Sequence, residues 1–523
     1  MITDFNYFLS DWSEKEIEGR LFDRIFYFDR TPISWAYKPI IYSNLLPKYF
    51  PSVQDVLNKR SKSFSLPLFS FIFRKGSILL INLKRHISKS VNLKSNSNSN
   101  LNSDFKKQSE NVLFIQFTNQ GYKTKNGKET IKNLEKVIEN LDTSSGMSPF
   151  LLSVDPLSLF SFNKIRNAKN GIYGYHNQSI NSKAKYFASK MSKRWKSISK
   201  KEKERLFRYE GKSLWKYAMP TFNFLYSKDY LYVLGYHYEL CKRILKEENI
   251  SKIVLTSQNN LFEKCMIAAG KEYNIPVLII QHGIGLGTFK SVDVIQREKF
   301  AVWGECFQKS LQDLGVNEKQ ICITGNLALD NNKNNQNNND HLSTKQFPEE
   351  HILIATSCYI EDRFIQKKEY FKMIEKVLKD VNSLNQKTIL KIHPRERHLE
   401  EYKEIIQRIN SKIIFSTSTS KKEYRELLEK SSVVITFGSS MTLEATAINK
   451  RNIIIDPFSD NSPLKLLSNH IGSVKIIPWK ENIAQEISHL LKSEQNYKND
   501  IKKLFYKLDG KAHERVVEEI YKL

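Results

Sequence analysis

The chain has 523 residues, of which 40% are hydrophobic and 12% aromatic, so it can build two or three buried cores and is not disordered as a whole. Its 82 Lys and Arg exceed its 56 Asp and Glu, and the formal charge of +26 favours anionic partners: a nucleotide, a lipid headgroup surface, an acidic glycan or a nucleic acid. The five scattered cysteines form no CxxC pair, which argues against a disulfide framework or a zinc site and indicates a reducing cytosol.

The first 110 residues are predicted to form an N-terminal extension, in which aromatic and basic residues alternate, as in LFDRIFYFDR at 21–30. The acidic start of the chain lacks the features of a secretory signal. The most apolar stretch, 65–83, is interrupted by charged residues and is too short on either side for a membrane-spanning helix. We interpret the extension as a helical cap packed on the next domain, and give a membrane-docking surface half that weight.

Two polar low-complexity tracts, at 92–103 and 331–340, divide the chain. Such tracts bury little apolar surface and are typical of loops and linkers. They predict one domain over residues 111–330 and a second over residues 345–523.

In the middle domain, short β-branched runs alternate with helical patterns. Phe262, Met266, Ala269 and Tyr273 recur at spacings of three and four residues, which predicts one buried helix face. The alternation predicts parallel strands joined by right-handed crossovers. The predicted strands lie at 111–117, 149–154, 252–257 and 275–283, with helices at 128–141, 181–248 (interrupted near Pro220) and 260–274.

The C-terminal domain repeats this pattern. The fold class is therefore α/β, with two Rossmann-like domains that face each other across a cleft. A last helical pattern at 494–521 is expected to pack back across the junction. The predicted strands lie at 351–357, 388–394, 412–418, 433–438 and 452–457, with helices at 361–382, 421–430 and 439–450.

The segment VVITFGSSMTLEATAINK is the most informative one. A buried strand ends before Gly438, which permits a tight turn, and Ser439 and Ser440 begin a helix whose N–H groups favour an anion. Glu444 follows within reach of a ribose or sugar hydroxyl. An ordinary serine N-cap on a packed helix explains the segment about equally well.

In LKIHPRERH, His393 ends a buried strand and Pro394 restricts the turn. Arg395 adds positive charge, and an imidazole at this position can donate to a phosphate oxygen. A strand-end histidine bonded to a neighbouring loop is the structural alternative. Because two such strand ends fall in one domain, we favour a binding site, with all three residues in it.

In IIQHGIGLG, His282 also ends a predicted strand, and Gly283 and Gly285 belong to a glycine-rich loop that borders the expected cleft. The run departs from a dinucleotide fingerprint. The following segment, 300–330, reads as a strand, a Trp-Gly turn, a helix and a strand that ends in ITGN.

Taken in order over residues 250–460, these segments resemble those of GT-B nucleotide-sugar enzymes. The first-domain strings are similar to those of sugar-nucleotide epimerases and of glycerophosphate and capsule-polymer transferases. The C-terminal order resembles bacterial GT-B sialyltransferases and polysialyltransferases, whose HP and Ser-Ser motifs hold the donor nucleotide. His393 and Pro394 match the first motif, and Ser439 and Ser440 match the second.

The resemblance implies a glycosyltransferase that uses a CMP- or UDP-linked sugar to build a surface polysaccharide, a capsule or a glycolipid. The acidic motif that supplies the base in those sialyltransferases has no counterpart here, so the base is unassigned and His282 is the candidate. The alternatives are a polyol-phosphate transferase or a sugar-nucleotide epimerase, the latter ranked lower because Ser-Ser-Met replaces its Ser-Gly-Gly. A basic nucleic-acid-binding protein is the alternative of another class.

The expected partners are a nucleotide sugar, a glycan or glycolipid acceptor and an anionic membrane surface, with no nucleic acid. The resemblance implies no cofactor and no metal, since the nucleotide sugar is a substrate. The expected location is the cytoplasm, with peripheral attachment to the inner face of the membrane.

Overall fold

The computed structural model describes most of the chain beyond residue 109 and two short parts of the extension. Among the residues it describes, no helix is long and apolar enough to span a membrane. The two low-complexity tracts, Gly285 and Ser440 lie outside the described residues. The described ranges are 15–27, 32–33, 110–117, 121–123, 129–131, 133–144, 147–154, 172–209, 212–258, 261–283, 298–313, 315–329, 347–348, 350–361, 365–409, 412–417, 421–439, 441–457, 474–492 and 498–523.

In the described part of the chain, three two-stranded antiparallel ribbons lie outside the main sheets. They are β1 (Glu16–Ile17) with β2 (Arg20–Leu21), β4 (Gly121–Lys123) with β5 (Glu129–Ile131), and β7 (Arg208–Tyr209) with β8 (Lys212–Ser213).

The first main sheet has six parallel strands in the order β12-β11-β10-β9-β3-β6. Its central strands are almost wholly apolar because helices cover both faces. The strands are β3 (Glu110–Phe117), β6 (Met147–Val154), β9 (Ile250–Leu255), β10 (Val277–Ile280), β11 (Glu298–Val302) and β12 (Ile321–Ile323).

The second main sheet also has six parallel strands, in the order β15-β14-β13-β16-β17-β18. This is the strand order of a doubly wound Rossmann domain, whose direction of winding changes between the first and fourth strands. The prediction of two Rossmann-like α/β domains is confirmed. The strands are β13 (His351–Ala355), β14 (Thr388–Lys391), β15 (Ile414–Ser416), β16 (Ser431–Thr436), β17 (Arg451–Asp456) and β18 (Val474–Pro478).

The helices lie between and after these strands. The first domain contains α1 (Glu135–Ser144), α2 (Gln178–Ser197), α3 (Lys200–Leu206), α4 (Trp215–Leu225), α5 (Lys228–Glu247), α6 (Leu261–Glu272) and α7 (Glu305–Asp313). The rest of the chain contains α8 (Lys367–Asn382), α9 (Leu399–Ile409), α10 (Lys421–Lys430), α11 (Met441–Ala447), α12 (Ile483–Lys492), α13 (Lys498–Phe505) and α14 (Ala512–Tyr521).

The prediction of a long helical stretch over 181–248, interrupted near Pro220, was wrong about where the helix is interrupted. Pro220 lies inside α4, and the described stretch contains four helices. Two of them begin at serine N-caps: Ser199 Oγ accepts from the Glu202 N–H, and Ser227 Oγ accepts from the Tyr230 N–H. Each cap satisfies an N–H group that has no partner within its helix, which stabilises a new helix start.

The described part of the N-terminal extension packs on the first domain. Its aromatic residues make this contact, as the interpretation of the extension as a cap requires. Phe22 and Phe26 are fully buried, and their rings lie 5.8 and 4.8 Å from the Tyr226 ring. Tyr226 in turn stacks on Trp195 of α2 at 4.7 Å. The elements here are β1, β2 and a short 3₁₀ turn; residues 34–109 lie outside the described part.

The C-terminal helices return to the first domain, and this prediction is confirmed. Val516 and Ile520 of α14 pack in one buried cluster with Val112 and Phe114 of β3. The backbone of α13 passes so close to the Trp-Gly turn that a Cβ on Gly304 would lie 2.2 Å from the Lys503 carbonyl oxygen. The return therefore fastens the second domain to the first.

Candidate functional site

The ends of β13 and β16 adjoin at the point where the second sheet changes its winding direction. In such sheets, ligands bind outside the carboxyl ends of the strands at this point. Ser357, just after β13, donates from Oγ to the Phe437 carbonyl oxygen at 3.2 Å, and the Tyr359 hydroxyl donates to the same oxygen. These hydrogen bonds fix the end of β13 relative to the end of β16.

The turn after β16 has the predicted shape. Gly438 has φ +76°, in the left-handed region that glycine adopts at low cost. Ser439 Oγ accepts from the Met441 N–H at 3.3 Å, and its carbonyl accepts from the Thr442 N–H at 3.1 Å. Ser439 therefore caps α11, as the structural alternative expected, and this capping bond does not use its O–H as a donor.

The HP turn after β14 lies beside these strand ends. The His393 N–H donates to Thr356 Oγ1 at 2.9 Å, and the Arg395 N–H donates to His393 Nδ1 at 3.1 Å. Because Nδ1 accepts this hydrogen bond, the neutral imidazole carries its own hydrogen on Nε2. Pro394 and Arg395 are exposed, and Arg395 Nη2 donates to Cys358 Sγ.

Glu396, which was not among the predicted site residues, supports this turn from its buried side. Its buried carboxylate accepts from the His393 N–H at 3.0 Å and the Tyr370 hydroxyl at 3.1 Å, and also from the hydroxyls of Thr356 and Tyr402. Burial raises the pKa of the Glu396 carboxyl, and these hydrogen bonds oppose the rise. The available signal was spacing: a glutamate three residues after the turn's first residue reaches back to that N–H, as in a capping box.

Glu444 lies on α11 in a small polar cluster. It is hydrogen-bonded to the Tyr424 hydroxyl. Burial raises the pKa of this hydroxyl, and the Glu444 carboxylate raises it further. The buried Lys391 ammonium lies 5.6 Å from the centre of the Tyr424 ring, and desolvation lowers its pKa while Glu444 opposes the shift. The predicted contact of Glu444 with a ribose or sugar hydroxyl stays a prediction.

The QHG turn lies at the carboxyl edge of the first sheet. Gln281 locks it to the Trp-Gly turn, because Oε1 accepts from the Trp303 N–H at 3.0 Å and Nε2 donates to the Gly283 carbonyl at 3.0 Å. The His282 ring is exposed and hydrogen-bonds the Thr256 backbone; desolvation by neighbouring protein atoms still lowers its pKa. His282 is therefore mainly neutral at pH 7 and can accept a proton.

The structure thus places the HP turn and the Gly438 turn, which contain His393 and Ser439, at the end of β13. His282 and Gly283 belong to the other sheet. Gly285 and Ser440 lie outside the described residues. Within the described ranges, no group of three His, Cys, Asp or Glu side chains could hold a metal ion. The expectation that no metal or cofactor is needed stays a prediction.

The profile of the UDP-N-acetylglucosamine 2-epimerase family matches residues 292–521, which is less than half of the chain. The matched part contains the Trp-Gly turn, the HP turn, the Gly438 turn and the returning helices, and it supports a nucleotide-sugar enzyme. A search of the curated proteins gives no match.

Solved structures with weak similarity include an S. aureus MnaA–UDP co-structure, at 13% identity and a TM-score of 0.47, covering 79% of this chain and 96% of that one. The Methanocaldococcus jannaschii UDP-GlcNAc 2-epimerase in complex with UDP-GlcNAc and UDP has 14% identity and a TM-score of 0.47, with coverages of 79% and 100%. The glycotransferase of kitacinnamycin has 10% identity and a TM-score of 0.45, with coverages of 79% and 98%. These scores are low, so the architecture rests on the chain's own two sheets.

Proposed function

We propose that the chain is a nucleotide-sugar enzyme that epimerises a UDP-linked N-acetylamino sugar. The observation that carries the proposal is the family match over residues 292–521, because the HP turn and the Gly438 turn both lie within it. These turns meet at the winding switch of the second sheet, where a nucleotide binds in doubly wound domains.

The substrate's diphosphate is proposed to lie between the HP turn and the start of α11. His393 would donate to it from Nε2, which the Arg395 N–H keeps protonated by occupying Nδ1. The hydroxyl hydrogens of Ser439 and Ser440 would supply further donors, and the ribose would lie near Glu444. Charge-assisted donors of this kind hold phosphate oxygens strongly.

Inverting one sugar carbon requires a base that removes its proton and an acid that returns one. His282 is the proposed base, because its lowered pKa keeps it neutral and able to accept a proton. No acceptor and no added cofactor take part in this reaction. The test is incubation of the protein with UDP-GlcNAc in D₂O without an acceptor. Formation of the 2-epimer with deuterium at the inverted carbon supports the proposal, and unchanged UDP-GlcNAc contradicts it.

Glycosyl transfer is the second candidate. It is favoured by the placement of the HP turn and the Gly438 turn at the end of β13, where Thr356 contacts His393 and Ser357 contacts Phe437. The resemblance to HP and Ser-Ser donor motifs requires such a placement. The donor would be a CMP- or UDP-linked sugar, and the acceptor a glycan or glycolipid of a surface polysaccharide or capsule. Release of nucleotide only when an acceptor is added would identify this reaction, whereas epimerisation needs no acceptor.

A further inference from the structure

A basic cavity of about 510 Å³ lies between the N-terminal extension and α2, and shares no residue with the candidate site. Among the described residues, none that lines it is acidic. Its charged and aromatic lining residues are Arg20, Arg24, Tyr27, Lys190, Lys193 and Arg194.

Within the described part of the chain, most of the positive charge in this cavity has no acidic partner. Arg194 forms an ion pair with Glu18 at 2.9 Å. Arg20, Arg24 and the two lysines have no ion pair within the described part of the chain, and all four side chains are exposed. Like charges gathered in a concave surface repel one another and focus a positive potential, so an anion placed there is attracted.

Exposed aromatic rings accompany these charges. Tyr27, which lines the cavity, is 45% exposed, and Tyr186 is 71% exposed. Tyr186 precedes Lys190 by four residues on α2, so the two lie on the same helix face, with Lys193 one turn further on. Tyrosine rings combine an apolar body with a polar tip and are enriched where a membrane meets water.

We propose that this surface docks on an anionic membrane and that the basic cavity receives the phosphate of a lipid headgroup. The charges alone would also suit a soluble phosphate. The two exposed tyrosines beside the cavity favour a lipid surface, because a soluble phosphate needs no neighbouring apolar contact. The inference does not rest on the proposed function, since it uses another part of the first domain.

The charge-reversing variant Lys190→Glu/Lys193→Glu tests the cavity. Both side chains are exposed and form no ion pair with a described residue, so the fold should be unaffected. The matched control is Lys185→Glu/Lys196→Glu, on the same helix. Lys185 and Lys196 are exposed and do not line the cavity; around the helix axis they lie about 110° and about 90° from the midpoint between Lys190 and Lys193. Both variants change the formal charge by the same four units.

The measurement is co-sedimentation of the full chain with vesicles of neutral phosphatidylcholine, with or without an anionic phosphatidylglycerol fraction. We expect binding only to the anionic vesicles, weakened by salt. The cavity variant should lose at least about thirtyfold in partitioning, which corresponds to two basic residues at the surface. The control should keep most of the binding, and both variants should bind UDP as the wild type does.

Equal losses of vesicle binding in the two variants would show that binding depends on net charge alone. This result would overturn the proposal that the cavity receives the lipid phosphate. No binding to anionic vesicles, or equal binding to neutral ones, would overturn membrane docking. Inorganic phosphate should release the vesicles no better than chloride at equal ionic strength. Stronger release by phosphate would identify the cavity as a soluble-phosphate site instead.

Discussion

Replacing Glu396 tests whether one buried carboxylate positions the HP turn. The carboxylate accepts hydrogen bonds from Tyr370 of α8, Tyr402 of α9, Thr356 at the end of β13 and the His393 N–H. Glu396→Ala removes all four bonds and leaves a void beneath the turn. Glu396→Gln keeps the shape, and its amide oxygen can still accept from the His393 N–H.

The magnitude follows from the partners that remain. A typical net contribution is about 0.5–1.5 kcal/mol for each hydrogen bond. The donors have second acceptors: the Tyr370 hydroxyl reaches the Ser357 carbonyl at 2.9 Å, and the His393 N–H reaches Thr356 Oγ1 at 2.9 Å. The alanine variant should therefore lose about 2–4 kcal/mol of unfolding free energy, and the glutamine variant about 1 kcal/mol or less at neutral pH.

The assay pairs urea unfolding with calorimetric titration of UDP into the folded protein. Glu400→Ala is the control, because Glu400 is exposed and, among the described residues, forms an ion pair only with Lys403 at the surface. We expect the alanine variant to bind UDP about tenfold more weakly per folded molecule, and the glutamine variant to recover most of the affinity. If the alanine variant were as stable as the wild type, the inference that these hydrogen bonds stabilise the fold would be refuted. If a destabilised variant bound UDP with wild-type affinity, Glu396 would have a structural role only.

Three further predictions concern the same site. The pKa of the Glu396 carboxyl is raised above its ordinary value of 4.5, so the folded chain holds the carboxyl proton more tightly than the unfolded chain does. The protonated carboxyl therefore stabilises the fold fully below pH 4.5, and this contribution is lost as pH rises through the pKa of the folded state. Thermal melts across pH 4–8 should show wild type losing stability relative to Glu396→Gln as pH rises; a constant difference would contradict this. His393→Ala should weaken UDP binding about ten- to a hundredfold, or about 1.5–3 kcal/mol, with little change in melting temperature. Ser439→Ala should weaken UDP binding less. A lowered melting temperature with unchanged affinity would favour a structural role for the replaced residue. Gly438→Ala should cost about 1–2 kcal/mol in urea unfolding because of its φ of +76°, whereas Gly174→Ala, with open space around it, should cost less; equal losses would remove the conformational explanation.

Much of the architecture could be predicted from local patterns. Strand and helix periodicities are properties of neighbouring residues, so the alternation of β-branched runs and amphipathic segments was sufficient to predict two parallel sheets. The same reasoning identified His393 and Gly438 as strand-end residues, because a polar residue or a glycine follows each apolar run. The breaks between α2 and α5 were harder to predict, since serine caps decided two of them and Pro220 decided none.

The order of strands within a sheet is a long-range property that local patterns do not contain. Only the folded chain places β13 between β14 and β16, so that Thr356 contacts His393 and Ser357 contacts the start of the Gly438 turn. Burial is decided in the same way: Glu396 follows a basic, turn-forming string, yet two tyrosines from separate helices enclose its carboxylate. The sequence by itself determined which segments become strands and helices, because hydrophobic periodicity acts over a few residues. The tertiary structure decided which strand ends meet, because that depends on packing between residues far apart in the chain.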